Sequence, residues 1–563
     1  MYLKFVFLWQ LFSITNAINV LFFLLGTNQF ERNTFEFLAQ QLALRHHSVV
    51  TVKPVLIPEE PRLVKPKLHL VKEKQLKNLL PSTLYKPLEE VGGDVPWRQT
   101  YEVDAFDEPY WTGHNHSCYK MLNSNLMDTL KKDKLDVAVV YAGNPCQLAI
   151  VHILGIPFVY YDVHGFTDET IIASGNPWNL DSYSSRRSPS NLRPNFASRL
   201  LNGYHLVKEA IAQNTIPAIA RVISKRYRGL DEPITKLFAE DYEIKKKFKG
   251  FPDVNKLKQL AEAYFVNTDP LLEDGTAFGA NVIPVAGLHI DHVKPLFAPW
   301  NTTIAAAENG VIVVSLGTQA DSSKMTANQA KAILGALSKL TKYRIYWRIG
   351  PNMQLPGIKL EDVPQHINLT TFVPQNDLIA HKRCKLLVTN GGMSSVMEAI
   401  AHGVPIVGVP LYGVNHANMV KVQNKGFGVI VNKAVLSEST LFAAMKEVLD
   451  NKRFETATKD ASKEYRDRNE SPFERALRAI EHIGRHRGAK FFKPSRQAYA
   501  STWTRAANLD FWLICAALAF FAGLFVQSLI GLLFGFVKNH GPAPGSAGVE
   551  IASTPRKESK KVK

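Results

Sequence analysis

The chain has 563 residues, 46% of them hydrophobic and 21% charged, and a formal net charge of +17. That length is enough for two or three domains with full cores, and the composition is ordinary for a globular protein. The positive charge is spread widely, with no basic helix interleaved with aromatics, so it reads as solvated surface with affinity for anionic substrates or lipids and argues against a nucleic-acid partner.

In chain order, residues 1–17 (MYLKFVFLWQLFSITNA) carry Lys4, an apolar run and a small-residue Thr15-x-Ala17 end. They read as a secretory signal peptide. Residues 19–25 form an apolar strand, 34–44 an amphipathic helix and 49–55 a second strand. This βαβ opening predicts a parallel sheet. A buried strand over 137–141, a helix over 146–154 and a strand over 157–161 continue it. Residues 174–198 are a loop on composition and 234–248 a charged helix. After a segment with several Gly and Pro residues (275–296), a second series begins. Strand 311–316 ends at Gly317-Thr318, followed by helix 329–340 and strands 343–348 and 367–371. A strand ending at Thr389 runs into Asn390-Gly391-Gly392, with strand 404–409 and helices 437–449 and 472–483 beyond. Residues 511–537 are apolar and uncharged, long enough to span a bilayer.

The predicted fold class is α/β, two Rossmann-like domains facing a cleft, plus one C-terminal transmembrane helix. The expected boundaries are 18–285 for the first domain, 286–490 for the second, 491–510 for a stalk, 511–537 for the span and 538–563 for a basic tail. A signal peptide and one C-terminal span predict a single-pass type I protein with a luminal body. Sequons at Asn115, Asn301, Asn368 and Asn469 agree with that placement. Lys560 and Lys561 resemble a dilysine signal for retrieval to the endoplasmic reticulum. Of four cysteines, Cys515 lies in the span. Cys118, Cys146 and Cys384 allow at most one bridge, and the sequence does not fix the pair. His46-His47 and His114/His116 lack partners at metal-site spacing, so no metal site is expected.

The stretch KLLVTNGGMSSVMEAIA, residues 385–401, is the most informative. A strand, a Gly-Gly turn and a helix bring backbone N–H groups to one point, a ready phosphate site. Ser394 and Ser395 fall in the first helical turn and add hydroxyl donors. Glu398 lies one turn on, placed to accept hydrogen bonds from a ribose diol. A nucleoside diphosphate site follows. A nicotinamide-dependent oxidoreductase would need G-x-G-x-x-G after the first strand, where only Gly26 is present.

From Ser315 to Met419 the chain closely resembles the UDP-glycosyltransferases, above all the membrane-bound UDP-glucuronosyltransferases of animals. The residues that carry the resemblance are Ser315-Leu-Gly-Thr318, Phe372-Val-Pro-Gln-Asn-Asp-Leu-Ile-Ala-His381, Thr389-Asn-Gly-Gly-Met-Ser-Ser-Val-Met-Glu398 and Gly403-Val-Pro-Ile-Val-Gly-Val-Pro-Leu411, with Asn418. The resemblance implies a two-Rossmann glycosyltransferase fold (GT-B). It also implies an inverting, metal-independent transfer from a UDP-sugar to a small lipophilic acceptor. UDP-glucuronate is the donor it suggests, as a co-substrate with no permanently bound cofactor. It further implies that Gly317 and Thr318 form a phosphate loop, that Phe372 stacks on uracil where the family has Trp, and that Gln375 contacts base or ribose. Gly391, Gly392 and Ser395 would hold the diphosphate and Glu398 the ribose. Homo- or hetero-oligomers with related transferases fit the same picture.

The departures fall at the chemistry. Where the family carries its general-base His, this chain has Glu31, and where it carries the partner Asp, this chain has Tyr141. An unshifted Glu has a pKa of about 4.3, and a base matched to neutral pH needs burial to raise it. Asn390 replaces the family's His and Ser394 its common Asn. The family's Asp-Gln pair, which holds sugar hydroxyls, becomes Val414-Asn415. The catalytic candidates are therefore Glu31 and Tyr141, with Asn415 retaining part of the sugar contact. The competing expectation is a non-catalytic membrane protein that binds UDP-sugars or lipophilic ligands.

Overall fold

The computed structural model describes residues 17–24, 29–56, 70–93, 95–98, 108–177, 180, 185, 195–273, 275–318, 320–411, 413–490 and 509–540. Seven strands make the first sheet: β1 (Asn19–Phe23), β2 (Ser48–Pro54), β3 (Val71–Leu76), β4 (Val137–Tyr141), β5 (Phe158–Asp162), β6 (Ala263–Val266) and β7 (Val282–Pro284). Six make the second: β8 (Val311–Ser315), β9 (Arg344–Arg348), β10 (Ile367–Thr370), β11 (Cys384–Thr389), β12 (Ile406–Gly408) and β13 (Gly428–Ile430). The spatial orders are β3-β2-β1-β4-β5-β6-β7 and β10-β9-β8-β11-β12-β13. Every pairing among them is parallel. Sheets covered on both faces select unbroken apolar strands. The VAVVY of β4 and the VIVVS of β8 are buried at every position.

In both sheets the strand order reverses beside the first strand, between β1 and β4 and between β8 and β11. Such a reversal parts the loops at the carboxyl ends of the strands and opens a crevice there.

Three local departures from the sequence expectation have physical causes. The first helix begins at Gln29, ahead of residue 34, because its opening turn QFERN is mostly polar and gives no apolar period. Strand β3, VKEKQL, is an edge strand that alternates Lys and Glu or Gln, the charged pattern that blocks edge-to-edge pairing. Its Lys72 and Lys74 both reach Asp133. The charged segment 234–248 is two helices, Glu232–Glu240 and Tyr242–Lys247. They divide at Asp241, whose carboxylate accepts the Ile244 N–H at 3.0 Å and caps the second.

Cys118 and Cys146 form a disulfide that ties helix Glu108–Leu122 to helix Pro145–Leu154, while Cys384 is free and buried.

Two segments cross between the sheets. Helix Pro472–His486 follows the second sheet in sequence, yet lays Phe473, Ala476, Leu477, Ile480 and Ile483 into the core of the first, against Ile18 and Val20. In the other direction, the short turn Val95–Trp97 precedes most of the first sheet, yet Trp97 is 4% exposed inside the core of the second. Its indole N–H donates to the Asp321 carbonyl at 2.6 Å, and its own carbonyl accepts from Gln329 Nε2 at 2.9 Å. The buried Lys433 ammonium donates to the carbonyls of Pro96 at 3.1 Å and Leu411 at 2.8 Å. Both sheets belong to one compact unit, Met1–Thr502. The other unit, Trp503–Lys563, holds helix Leu509–His540. Within it, Phe511–Leu533 is long and apolar enough to cross a membrane by length and composition.

Candidate functional site

The loops after β8 and β11 meet at the second reversal point. Gly317 has φ +93° and Gly391 φ +82°, backbone that side chains rarely adopt. Close approach excludes a side chain as well. A Cβ on Gly317 would lie 2.4 Å from Asn390 Nδ2, and one on Gly391 would lie 2.6 Å from Met419 Cγ and 2.9 Å from the Asn415 carbonyl oxygen. Asn390 braces this junction, its Oδ1 accepting the Gly392 N–H at 3.1 Å. Helix Met393–His402 starts here with Gly392 as its N-cap, which supplies no side-chain acceptor. The first-turn N–H groups of that helix thus suit an external anion. Thr318 is exposed on the β8 loop and Ser394 half-buried in the first turn.

Sequence reasoning passed over Arg348, the last residue of β9. Its guanidinium donates to the Gly317 carbonyl at 2.6 Å and sets a cation beside the same loop. An Arg closing the strand RIYWR at its carboxyl end was the available signal.

One turn into the helix, Glu398 is buried. Gln375 Nε2 donates to Glu398 Oε2 at 2.6 Å and to Ser395 Oγ at 2.8 Å. The structure thus brings Gln375, Ser395 and Glu398 together from two elements. It adds a residue that the sequence did not flag. His289, from the turn beyond β7, places Nε2 2.6 Å from Glu398 Oε1. His289 lay in the segment read as a divider, where a single histidine carries no pattern.

Burial disfavours the imidazolium of His289, but the hydrogen bond and charge of Glu398 outweigh it, so the pKa is raised. A histidine raised on folding contributes stability that is fully present below its unfolded pKa and is lost as pH rises through the folded value. The thermal midpoint is therefore expected to fall, relative to His289→Gln, as pH increases from about 6.5 upward. Paired melting scans from pH 5 to 9 check this, and parallel curves for the two proteins would refute it.

The remaining donor-side candidates sit apart from this cluster. Phe372 is 46% exposed, three positions before Gln375. Asn415 is buried, with its carbonyl against Gly391. Val414 is partly buried and packs on the aliphatic core of the second sheet.

At the first reversal point, Tyr141 ends β4 and is buried. Its Oη lies 2.8 Å from His164 Nε2, and its N–H donates to Gln147 Oε1 at 2.7 Å. Phe35 sets its ring edge-on to Tyr141 at 6.5 Å. Glu31 heads the same helix as Phe35, and its side chain lies outside the described residues. Among the described residues no group of three or more His, Cys, Asp or Glu is arranged to hold a metal ion.

Two parallel sheets of this order, each with its polar residues at the reversal point, define the GT-B architecture of nucleotide-sugar glycosyltransferases. Solved structures share it. Phytolacca americana UGT2 complexed with UDP-2fluoro-glucose and pterostilbene aligns with a TM-score of 0.52 at 14% identity, over 83% of this chain and 99% of that one. The glycotransferase of kitacinnamycin aligns with a TM-score of 0.52 at 16% identity, over 83% and 98%.

The sequence goes further than the fold. The chain belongs to the family described as UDP-glucoronosyl and UDP-glucosyl transferase, whose model matches residues 35–538. It is similar to UDP-glucuronosyltransferase 3A1 of Bos taurus, 29% identical over 75% of each chain. It is also similar to UDP-glucuronosyltransferase 2B15 of Homo sapiens, 27% identical over 79% of this chain and 80% of that one. A third relative is the 2-hydroxyacylsphingosine 1-beta-galactosyltransferase of Homo sapiens, 27% identical over 65% and 62%.

Proposed function

We propose that the chain transfers a sugar, glucuronate in the first instance, from its UDP-sugar to a small lipophilic acceptor with inversion. The observation that carries this is the joining of Gln375, Ser395 and Glu398 one helical turn from the Gly391-Gly392 corner. Helix N–H groups and the Arg348 cation suit a diphosphate, and a carboxylate one turn deeper suits a ribose diol. The exposed Phe372 ring offers a face for uracil. The acceptor binds over the first sheet, where Glu31 and Tyr141 stand at the positions that the family uses for proton transfer.

Val414 supports the second reading, a binder without turnover. A valine packed on the core gives a sugar hydroxyl no partner. UDP and UDP-glucose are accordingly expected to bind within about threefold of one another. Val414→Asp restores one charge-assisted hydrogen bond of about 1.5 kcal/mol and should favour UDP-glucose about tenfold. Calorimetry with UDP, UDP-glucose, UDP-glucuronate and UDP-N-acetylglucosamine, with mass spectrometry of products from an acceptor panel, decides between the readings. Product identifies a transferase, and UDP binding without product for any pair identifies the binder.

The same proposal places the body in the lumen of the endoplasmic reticulum, anchored by Phe511–Leu533, with the Cys118–Cys146 bridge suited to an oxidising compartment. Of the four sequons, Asn301 and Asn469 are exposed. Asn115 instead donates inward to the Gly229 carbonyl at 2.8 Å, and Asn368 accepts from Arg344 at 2.9 Å.

A further inference from the structure

The turn that leaves β5 is held far more firmly than the sheet requires. Asp162, buried at the end of the strand, spends both carboxylate oxygens on it. Oδ1 accepts the His164 N–H at 3.1 Å, and Oδ2 accepts the Thr167 and Thr170 hydroxyls, each at 2.6 Å, with the Thr167 N–H at 3.3 Å. Asn267, from the loop after β6, donates to the Val163 carbonyl at 2.7 Å. Gly165 closes the turn at φ +129°. The one titratable side chain carried on this pinned turn is His164, which is half-buried. Its Nε2 lies 2.8 Å from Tyr141 Oη at the carboxyl end of the adjacent strand, beside the reversal point of the first sheet. A side chain fixed this closely at the ligand-binding edge of a parallel sheet is built for positioned chemistry.

His114 provides the contrast. His114 bonds Asn144 Nδ2 at 3.0 Å and is fully buried, and burial pushes its pKa down to about 4. It is a core residue. Among the described residues, the ionisable groups bonded to His164 are Tyr141 on β4, whose Oη meets the ring, and Asp162 on its own strand, which accepts the backbone N–H.

We propose that His164 is the catalytic residue that takes the acceptor proton, with Tyr141 as its positioning residue. The inference rests on the transferase reading above. When the acceptor attacks, its O–H bond breaks and the proton passes to the His164 imidazole. The freed oxygen pair forms the bond to the anomeric carbon, and the bond from that carbon to the β-phosphate oxygen breaks, its pair leaving with UDP. Tyr141 holds the ring through Nε2 and accepts a hydrogen bond from the imidazolium N–H. A phenol does this less strongly than a carboxylate, so the step is slower than with a carboxylate partner.

The test uses the full-length protein in membranes, with UDP-sugar and 1-naphthol. His164→Ala is expected to lower kcat by about 10²- to 10⁴-fold and to leave UDP affinity unchanged by calorimetry. Added imidazole should restore part of kcat, a result that a structural role would not give. Tyr141→Phe should lower kcat less than His164→Ala does. The assignment falls if His164→Ala keeps its kcat, or if its loss is accompanied by loss of UDP binding and is not rescued by imidazole. A wild-type protein that binds UDP without turning over any donor overturns the transferase reading and this base with it. Failure of the wild type to bind UDP would remove the donor site itself.

Discussion

Replacing Glu398 with alanine is expected to weaken UDP binding by about 100-fold. The carboxylate would accept from both ribose hydroxyls, and a charge-assisted hydrogen bond contributes roughly 1.5–3 kcal/mol. The gain on binding lies at the low end of that range, because the carboxylate is already engaged in the unliganded protein. Gln375 holds one oxygen and His289 the other, at 2.6 Å each. Ribose hydroxyls therefore exchange partners with these two side chains and gain only the difference. A total near 3 kcal/mol corresponds to about two decades in affinity. Calorimetry with UDP and with its 2′,3′-dideoxy analogue makes the measurement specific. The native protein should prefer UDP by about that factor and Glu398→Ala should not discriminate. Equal affinity of the native protein for both nucleotides would end the assignment of Glu398 to the ribose.

Trp97→Ala is expected to destabilise the second sheet and its helices by about 3–5 kcal/mol, the range for truncating a buried Trp or Phe. The indole is 4% exposed among Leu316, Ala320, Met325 and Leu411, so its removal leaves a cavity that these side chains fill only in part. The Asp321 carbonyl also loses its donor. Trp97→Phe keeps most of the volume and loses the hydrogen bond alone, about 1 kcal/mol. Equilibrium denaturation of the three proteins, followed by circular dichroism, gives the ranking. An alanine variant with an unshifted midpoint would show that the turn Val95–Trp97 is a passive contact.

Much of the architecture was legible because parallel strands covered on both faces leave unbroken apolar runs. β4 was read at its observed limits and β8 to within one residue. Where burial is one-sided the signal fails. Edge strand β3 alternates charge and was missed. The turn Val95–Trp97 is too short to show any period, and its burial depends on residues more than 200 positions away, such as Asp321 and Gln329. The candidate site divides the same way. Gly317, Gly391, Gln375, Ser395 and Glu398 fall in motifs with fixed spacing, so one sequence suffices to pick them out. His289, Arg348 and His164 come to their neighbours through tertiary packing, as single polar residues at strand ends or in turns. The sequence pointed to Tyr141 by a replacement and gave no indication of its partner, 23 positions further on.

The two crossings of the chain have a consequence for exchanging parts between relatives. A hybrid joined near residue 285 would carry a foreign helix in place of Pro472–His486 beneath its own Ile18 and Val20. Its own Trp97 would meet a foreign slot. Productive recombination, in the laboratory or during gene evolution, therefore moves residues 95–97 with the second sheet and residues 472–486 with the first, so that modules inherit by contact and not by order along the gene.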